Sequence, residues 1–164
     1  MPVDKNKQLQ ASILDRLLDD NPAVQVEAAQ LQQQKINELR DSVRRDLEYL
    51  LNTRCRLLEP PEYLPNCQRS LLNYGLPDLA TVNILDIEKK REFIKSLEAL
   101  IMHFEPRFKS VRVKHLDNRD KTDRTLRFRI DATLYADPVP ETVVFDSVLE
   151  PVMRTVTVED SIHG

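Results

Sequence analysis

The chain has 164 residues, 41% of them apolar and 31% charged, with a formal net charge of −3. That length fits one compact domain able to bury roughly 70% of its unfolded surface. The small negative charge excludes a global positive field that would draw in nucleic acid or an anionic membrane. Two glycines against ten prolines leave few φ > 0 corners and no phosphate-cradling loop.

The start, Met-Pro-Val-Asp-Lys-Asn-Lys-Gln, has no apolar h-region, and no apolar run approaches a membrane span, so the reading is a cytoplasmic protein. Residues 1–8 predict a flexible N-terminal tail ahead of a single domain over residues 9–164. Ser12 to Leu18 reads as a short helix with Ile13, Leu14, Leu17 and Leu18 on its apolar face, broken by Asn21-Pro22. A long helix is expected from about Val24 to Thr53, where Ile36, Leu39, Val43, Leu47, Leu50 and Leu51 recur at three- and four-residue steps. Arg44, Arg45, Arg54 and Arg56 look basic as a group, but Arg44–Glu48 and Arg45–Asp41 at i, i+4 suit a solvated face. Residues 55–70 carry three prolines, Pro60, Pro61 and Pro65, and read as irregular; Asn73 to Pro77 has turn chemistry around Gly75. Cys55 and Cys67 lack metal-ligand spacing and read as free thiols.

The next helix starts at Asn83 or Asp86 and runs to Phe104, with Ile94, Leu97, Ile101 and Phe104 on one stripe. Pro106 ends it, because the residue before a proline is pushed out of the α region. The period then changes to two. Val111 and Val113 alternate with Arg112 and Lys114; Leu126 to Leu134 is the clearest strand; Thr142–Leu149 and Val152–Val158 read as two more. The fold class is therefore α+β: N-terminal helices including one long helix, then a backing helix and a mostly antiparallel C-terminal sheet. Between backing helix and sheet, Glu105-Pro106-Arg107 pins two opposite charges about a rigid ring. It is the strongest candidate for a partner-binding feature.

Catalytic motifs are scarce. Gly-x-Ser-x-Gly, a P-loop and His-Glu-x-x-His do not occur, and His103 and His115 lie 12 apart across the corner without further ligands. An arginine beside Glu105 favours the charged carboxylate, the wrong direction for a glycosidase acid. The alternating basic residues Arg112, Lys114, Arg127 and Arg129 lack interleaved aromatics, which argues for an ion-paired face and against nucleic acid. No catalytic residue, metal or cofactor is assigned. What remains is an interaction protein. The strands between Val143 and Val158 either leave a sheet edge open for a partner strand or have it covered within the fold; the residues leave both alternatives standing.

Several stretches together resemble a known family: Ser12-Ile13-Leu14-Asp15-Arg16-Leu17, Ser42 to Arg54 with its Leu-Leu-Asn-Thr-Arg end, Leu72-Asn73-Tyr74-Gly75-Leu76-Pro77-Asp78, and Phe104-Glu105-Pro106-Arg107-Phe108. They are similar to the type VI secretion baseplate family of TssE and its relatives, the wedge proteins of contractile phage tails, also labelled lysozyme-like. The resemblance implies a structural, non-enzymatic role in a complex docked at the inner membrane. Glu105, Pro106 and Arg107 would contact the wedge core, with TssF/TssG-like and TssK-like partners. The strands from about Thr125 to Val158 would template TssB/TssC-like sheath subunits. The alternative the family label implies is a peptidoglycan hydrolase. Cys55 departs from the family's basic run after Thr53.

Overall fold

The computed structural model describes residue 17 and residues 32–55, 63–68, 70–77, 86–118, 125–135, 139–150, 153 and 155–161. The predicted tail at 1–8 lies outside these residues. So does the predicted helix at Ser12–Leu18 except for Leu17, which is helical and exposed.

Helix α1 spans Gln32–Asn52, the second part of the long helix expected from the sequence; residues 24–31 lie outside the description. Leu39, Val43, Leu47, Leu50 and Leu51 are buried along it, and each large apolar side chain so removed from water contributes about 1.5–3 kcal/mol before ordering entropy. Within the 55–70 segment, the described residues 63–68 include a helical turn that the prolines do not suggest. Pro65 opens a short helix, α2, over Pro65–Gln68, because its missing N–H is not needed in a first turn. A 3₁₀ turn at Leu71–Asn73 follows, with the Ser70 hydroxyl accepting the Leu72 N–H. Gly75 then turns at φ +107°. It returns the chain so that Leu76 donates to the Thr53 carbonyl at 2.8 Å and Cys55 donates to the Leu76 carbonyl at 2.9 Å. A side chain at Gly75 would collide with the Thr53 carbonyl, which fixes glycine there.

Helix α3, Ile87–Phe104, starts where Asp86 accepts the Glu88 N–H at 2.9 Å, a side-chain N-cap. It buries Phe93, Leu97 and Ile101, four residues apart. Four strands follow: β1 Phe108–Leu116, β2 Leu126–Leu134, β3 Glu141–Glu150 and β4 Thr155–Asp160. They form an antiparallel sheet in the order β1-β2-β3-β4. The last strand begins three residues later than its β-branched pattern suggests. Strand β2 alternates as expected, with Leu126, Phe128, Ile130, Ala132 and Leu134 all buried. Helix α1 packs beneath β4 and α3 beneath β1, and both bury their apolar stripes against the inner face of the sheet. The result is a two-layer α+β domain, helices first and sheet last.

The outer face carries the basic residues noted in the sequence, and they are largely ion-paired. Arg129 grips Asp146 across the ladder at 2.7 and 3.0 Å, and Lys114 meets Asp131 at 2.5 Å. Cys55 and Cys67 are not joined in a disulfide.

Candidate partner-binding site

The corner between α3 and β1 is a hydrogen-bonded turn. Helix α3 ends as Glu105 leaves the helical region at φ −113°, ψ 86°, its N–H still bonded to the Ile101 carbonyl. Pro106 occupies the second position of the turn, where its fixed φ fits, and Phe108 N–H closes it on the Glu105 carbonyl at 3.3 Å. Arg107 then hands the chain to the sheet, its carbonyl accepting the Tyr135 N–H at 2.9 Å.

The two charges of the corner face inward and Pro106 faces out. Glu105 is 5% exposed. Its carboxylate accepts the Arg107 backbone N–H at 3.2 Å and Nε at 2.6 Å on one oxygen, and Arg107 Nη2 on the other. The same guanidinium reaches helix α1. Nη1 donates to Ser42 Oγ at 2.9 Å and Nη2 to Asp46 Oδ2 at 2.5 Å. All three guanidinium nitrogens therefore have partners within the chain. Burial alone would lower the Arg107 pKa, but the bonds and charge of Glu105, followed by those of Asp46, raise it above the ordinary arginine value.

Three of the four quoted stretches meet here; the first, Ser12–Leu17, lies outside the described residues except for Leu17. Tyr74, from the Asn-Tyr-Gly turn, packs edge-on against Phe104 with ring centroids 5.1 Å apart. Burial raises its phenol pKa, and the negative charges of Asp46 and Glu105 push it further the same way. Ser42 and Asp46 come from the α1 stretch, Phe104 to Phe108 from the corner, and Thr53 abuts Gly75. Sequence reading singled out Glu105, Pro106 and Arg107 and missed Ser42, Asp46 and Tyr74. The available signal was Ser42 and Asp46, two polar residues one helical turn apart beside the buried Leu39-Val43-Leu47 stripe.

The Arg107 guanidinium is a planar fork that suits carboxylates. In the isolated chain the fork is spent on Glu105 and Asp46, since leaving a buried carboxylate unpaired would cost several kcal/mol. What the corner offers outward is exposed Pro106, flanked by Met102 and Lys109, on a backbone stiffened by ion pairs.

The sheet edges complete the candidate surfaces. Of the two alternatives for the Val143–Val158 strands, the fold takes the covered one. Strand β3 lies between β2 and β4, and helix α1 guards the outer edge of β4. Asn52 accepts the Val156 N–H and donates to the Val156 carbonyl, both at 2.8 Å. Arg44 reaches the Val158 carbonyl at 3.4 Å, and Arg40 pairs with Asp160 at 3.0 Å.

Among the described residues, no His, Cys, Asp and Glu cluster could hold a metal ion, and no helix is long and apolar enough to cross a membrane. No curated protein and no solved structure matches the chain. A family model, that of the baseplate wedge protein gp25, matches residues 37–139. That span is more than half of the chain. It runs from the second turn of α1 through the Gly75 turn, α3 and the Glu105–Arg107 corner to just past β2. A chain with this sequence match and this two-layer α+β fold belongs to the baseplate wedge protein gp25 family, the family of TssE in type VI secretion.

Proposed function

We propose that the protein is a structural subunit, not an enzyme, in the baseplate of a type VI-like contractile injection machine. It acts as one domain over residues 9–164, in the cytoplasm, within a complex docked at the inner membrane. Its wedge-core partners are TssF/TssG-like and TssK-like subunits, and it templates TssB/TssC-like sheath subunits by strand pairing. It needs no cofactor and no nucleic acid. The observation that carries this reading is the match to the baseplate wedge family across the span that contains the corner.

Glu105, Pro106 and Arg107 form the wedge contact, with divided labour. Pro106 is the touching residue. Glu105 and Arg107 fix its backbone, and a turn already locked loses little entropy on docking. Both oxygens of the Glu105 carboxylate are engaged by Arg107, an arrangement suited to a strut rather than to a group that must protonate a leaving sugar.

The test is capture of wedge-core subunits by immobilised protein, comparing wild type with Pro106→Glu. The outer ring is exposed, so the variant folds, and capture is expected to fall at least tenfold. Wild-type capture by a folded Pro106→Glu protein would reject the corner as the contact. A peptidoglycan-release assay addresses the lysozyme-like alternative: release above a heat-killed control would reject the purely structural reading.

A further inference from the structure

We infer that the sheet accepts a partner strand on one edge only, the outer edge of β1, because Asn52 closes the edge of β4 as a surrogate strand. This rests on the sheath-templating reading above and assigns it to a strand, β1, outside the Thr125–Val158 region the family resemblance implies.

The argument is one of donors and acceptors. In an antiparallel ladder each edge residue of alternating position points both its N–H and its C=O outward. In β4 these residues are Val156, Val158 and Asp160, since Thr155, Thr157 and Glu159 face β3. A carboxamide carries a donor and an acceptor, and Asn52 uses both on Val156 at 2.8 Å, completing one rung as a neighbouring strand would. Arg44 takes the Val158 carbonyl, and Arg40 with Asp160 ties helix to strand beyond it. An incoming strand would have to expel helix α1.

Strand β1 is different. Val113 N–H points outward, where Glu98 of α3 accepts it at 2.7 Å. By alternation from Val113, Val111 and His115 point outward too, and Arg112 and Lys114 turn their backbone groups toward β2. A carboxylate accepts but cannot donate, so Glu98 satisfies the N–H of the central rung and offers no donor to its C=O. Among the described residues no backbone pairs with this edge. Glu98 is a placeholder that an incoming carbonyl can displace.

Side chains beside the edge state what kind of strand fits. Arg112 and Lys114 are exposed on the open face, whereas Val111 and Val113 lie on the core face. The occupant is an extended sheath-subunit segment with acidic residues on its open-face positions and apolar residues on the other. Lysine on an edge strand also discourages indiscriminate pairing, which leaves selection to charge. One closed and one receptive edge give sheath growth a single starting side.

Amide hydrogen exchange on the full-length protein, alone and with the purified TssB/TssC-like sheath subunit pair, tests this. Free protein should protect Val156 N–H and leave Val111 and His115 fast; sheath addition should protect the latter two. His115→Pro deletes an outward N–H without removing a β2 ladder bond, and should weaken sheath capture at least about tenfold, the worth of roughly one good hydrogen bond. Asn52→Ala should leave capture unchanged and add concentration-dependent self-association through the opened β4 edge. If the wild-type protein binds sheath subunits yet Asn52→Ala abolishes capture and Val111 and His115 stay fast, templating stands and the β1 assignment is overturned. If it binds no sheath subunits, the templating reading itself falls and the assignment with it.

Discussion

Replacing Arg107 with alanine would strip the guanidinium from Glu105, Ser42 and Asp46 at once. The cost is unevenly shared. Asp46 is about a third exposed on its side chain and rehydrates, and the Ser42 hydroxyl is small. Among the described residues Glu105, with 7% of its side chain exposed, keeps one backbone N–H at 3.2 Å and becomes a buried charge without a counter-ion. Breaking one partner from a buried pair costs about 3–5 kcal/mol, and partial exposure of Arg107 places this case near about 3 kcal/mol. For a domain of this size that lowers Tm by about 6–12 °C and leaves the protein folded at room temperature, given a total stability of about 5–15 kcal/mol. Pairing the change with Glu105→Gln removes the stranded charge, so the double variant should regain about 2 kcal/mol relative to additivity. Urea unfolding of wild type, both single variants and the double variant measures that coupling. Additive losses, or an Arg107→Ala cost below about 0.5 kcal/mol, would refute the clasp, since such values belong to surface ion pairs.

Three other outcomes follow from the packing. Ser147 is buried in β3 with its hydroxyl unbonded among the described residues, so Ser147→Ala should raise stability by about 1 kcal/mol in the same denaturation assay. Gly75→Ala should cost about 3 kcal/mol or more, seen as a large drop in Tm, because φ +107° and the Thr53 carbonyl both oppose a Cβ. The His115 pKa is lowered, first by burial and then by Lys90, against a smaller opposing pull from Asp117. The fold therefore favours neutral imidazole: its contribution is complete above the unfolded value of 6.5 and is lost as pH falls through the folded pKa. His115→Gln should flatten the decline of Tm on acidification below that point.

Helix α3, the corner and the strands were legible because each rests on local rules. Spacing of Leu97, Ile101 and Phe104 marks one helical stripe, Asp86 caps it, Pro106 stops it, and the Leu126–Leu134 alternation needs only the pleat. The inward turn of Glu105 and Arg107 was not legible. Adjacent opposite charges at a turn read as surface, and their burial depends on Asp46, which lies 61 residues upstream of Arg107. Coverage of the β4 edge was equally hidden. It depends on Asn52 at the end of a helix meeting Val156, 104 residues later, an encounter that no periodicity encodes. The short helix at Pro65 was missed for a local reason: a proline cluster suggests breakage, whereas one proline at a first helical position promotes a start.

The most direct measurement is a cryo-EM reconstruction of the assembled wedge containing this subunit. Pro106 should be buried against a helix of a neighbouring wedge subunit while the Arg107 fork still rests on Glu105 and Asp46 of its own chain. A wedge in which Pro106 faces solvent and the corner touches no partner would contradict the proposed role of the Glu105–Arg107 corner.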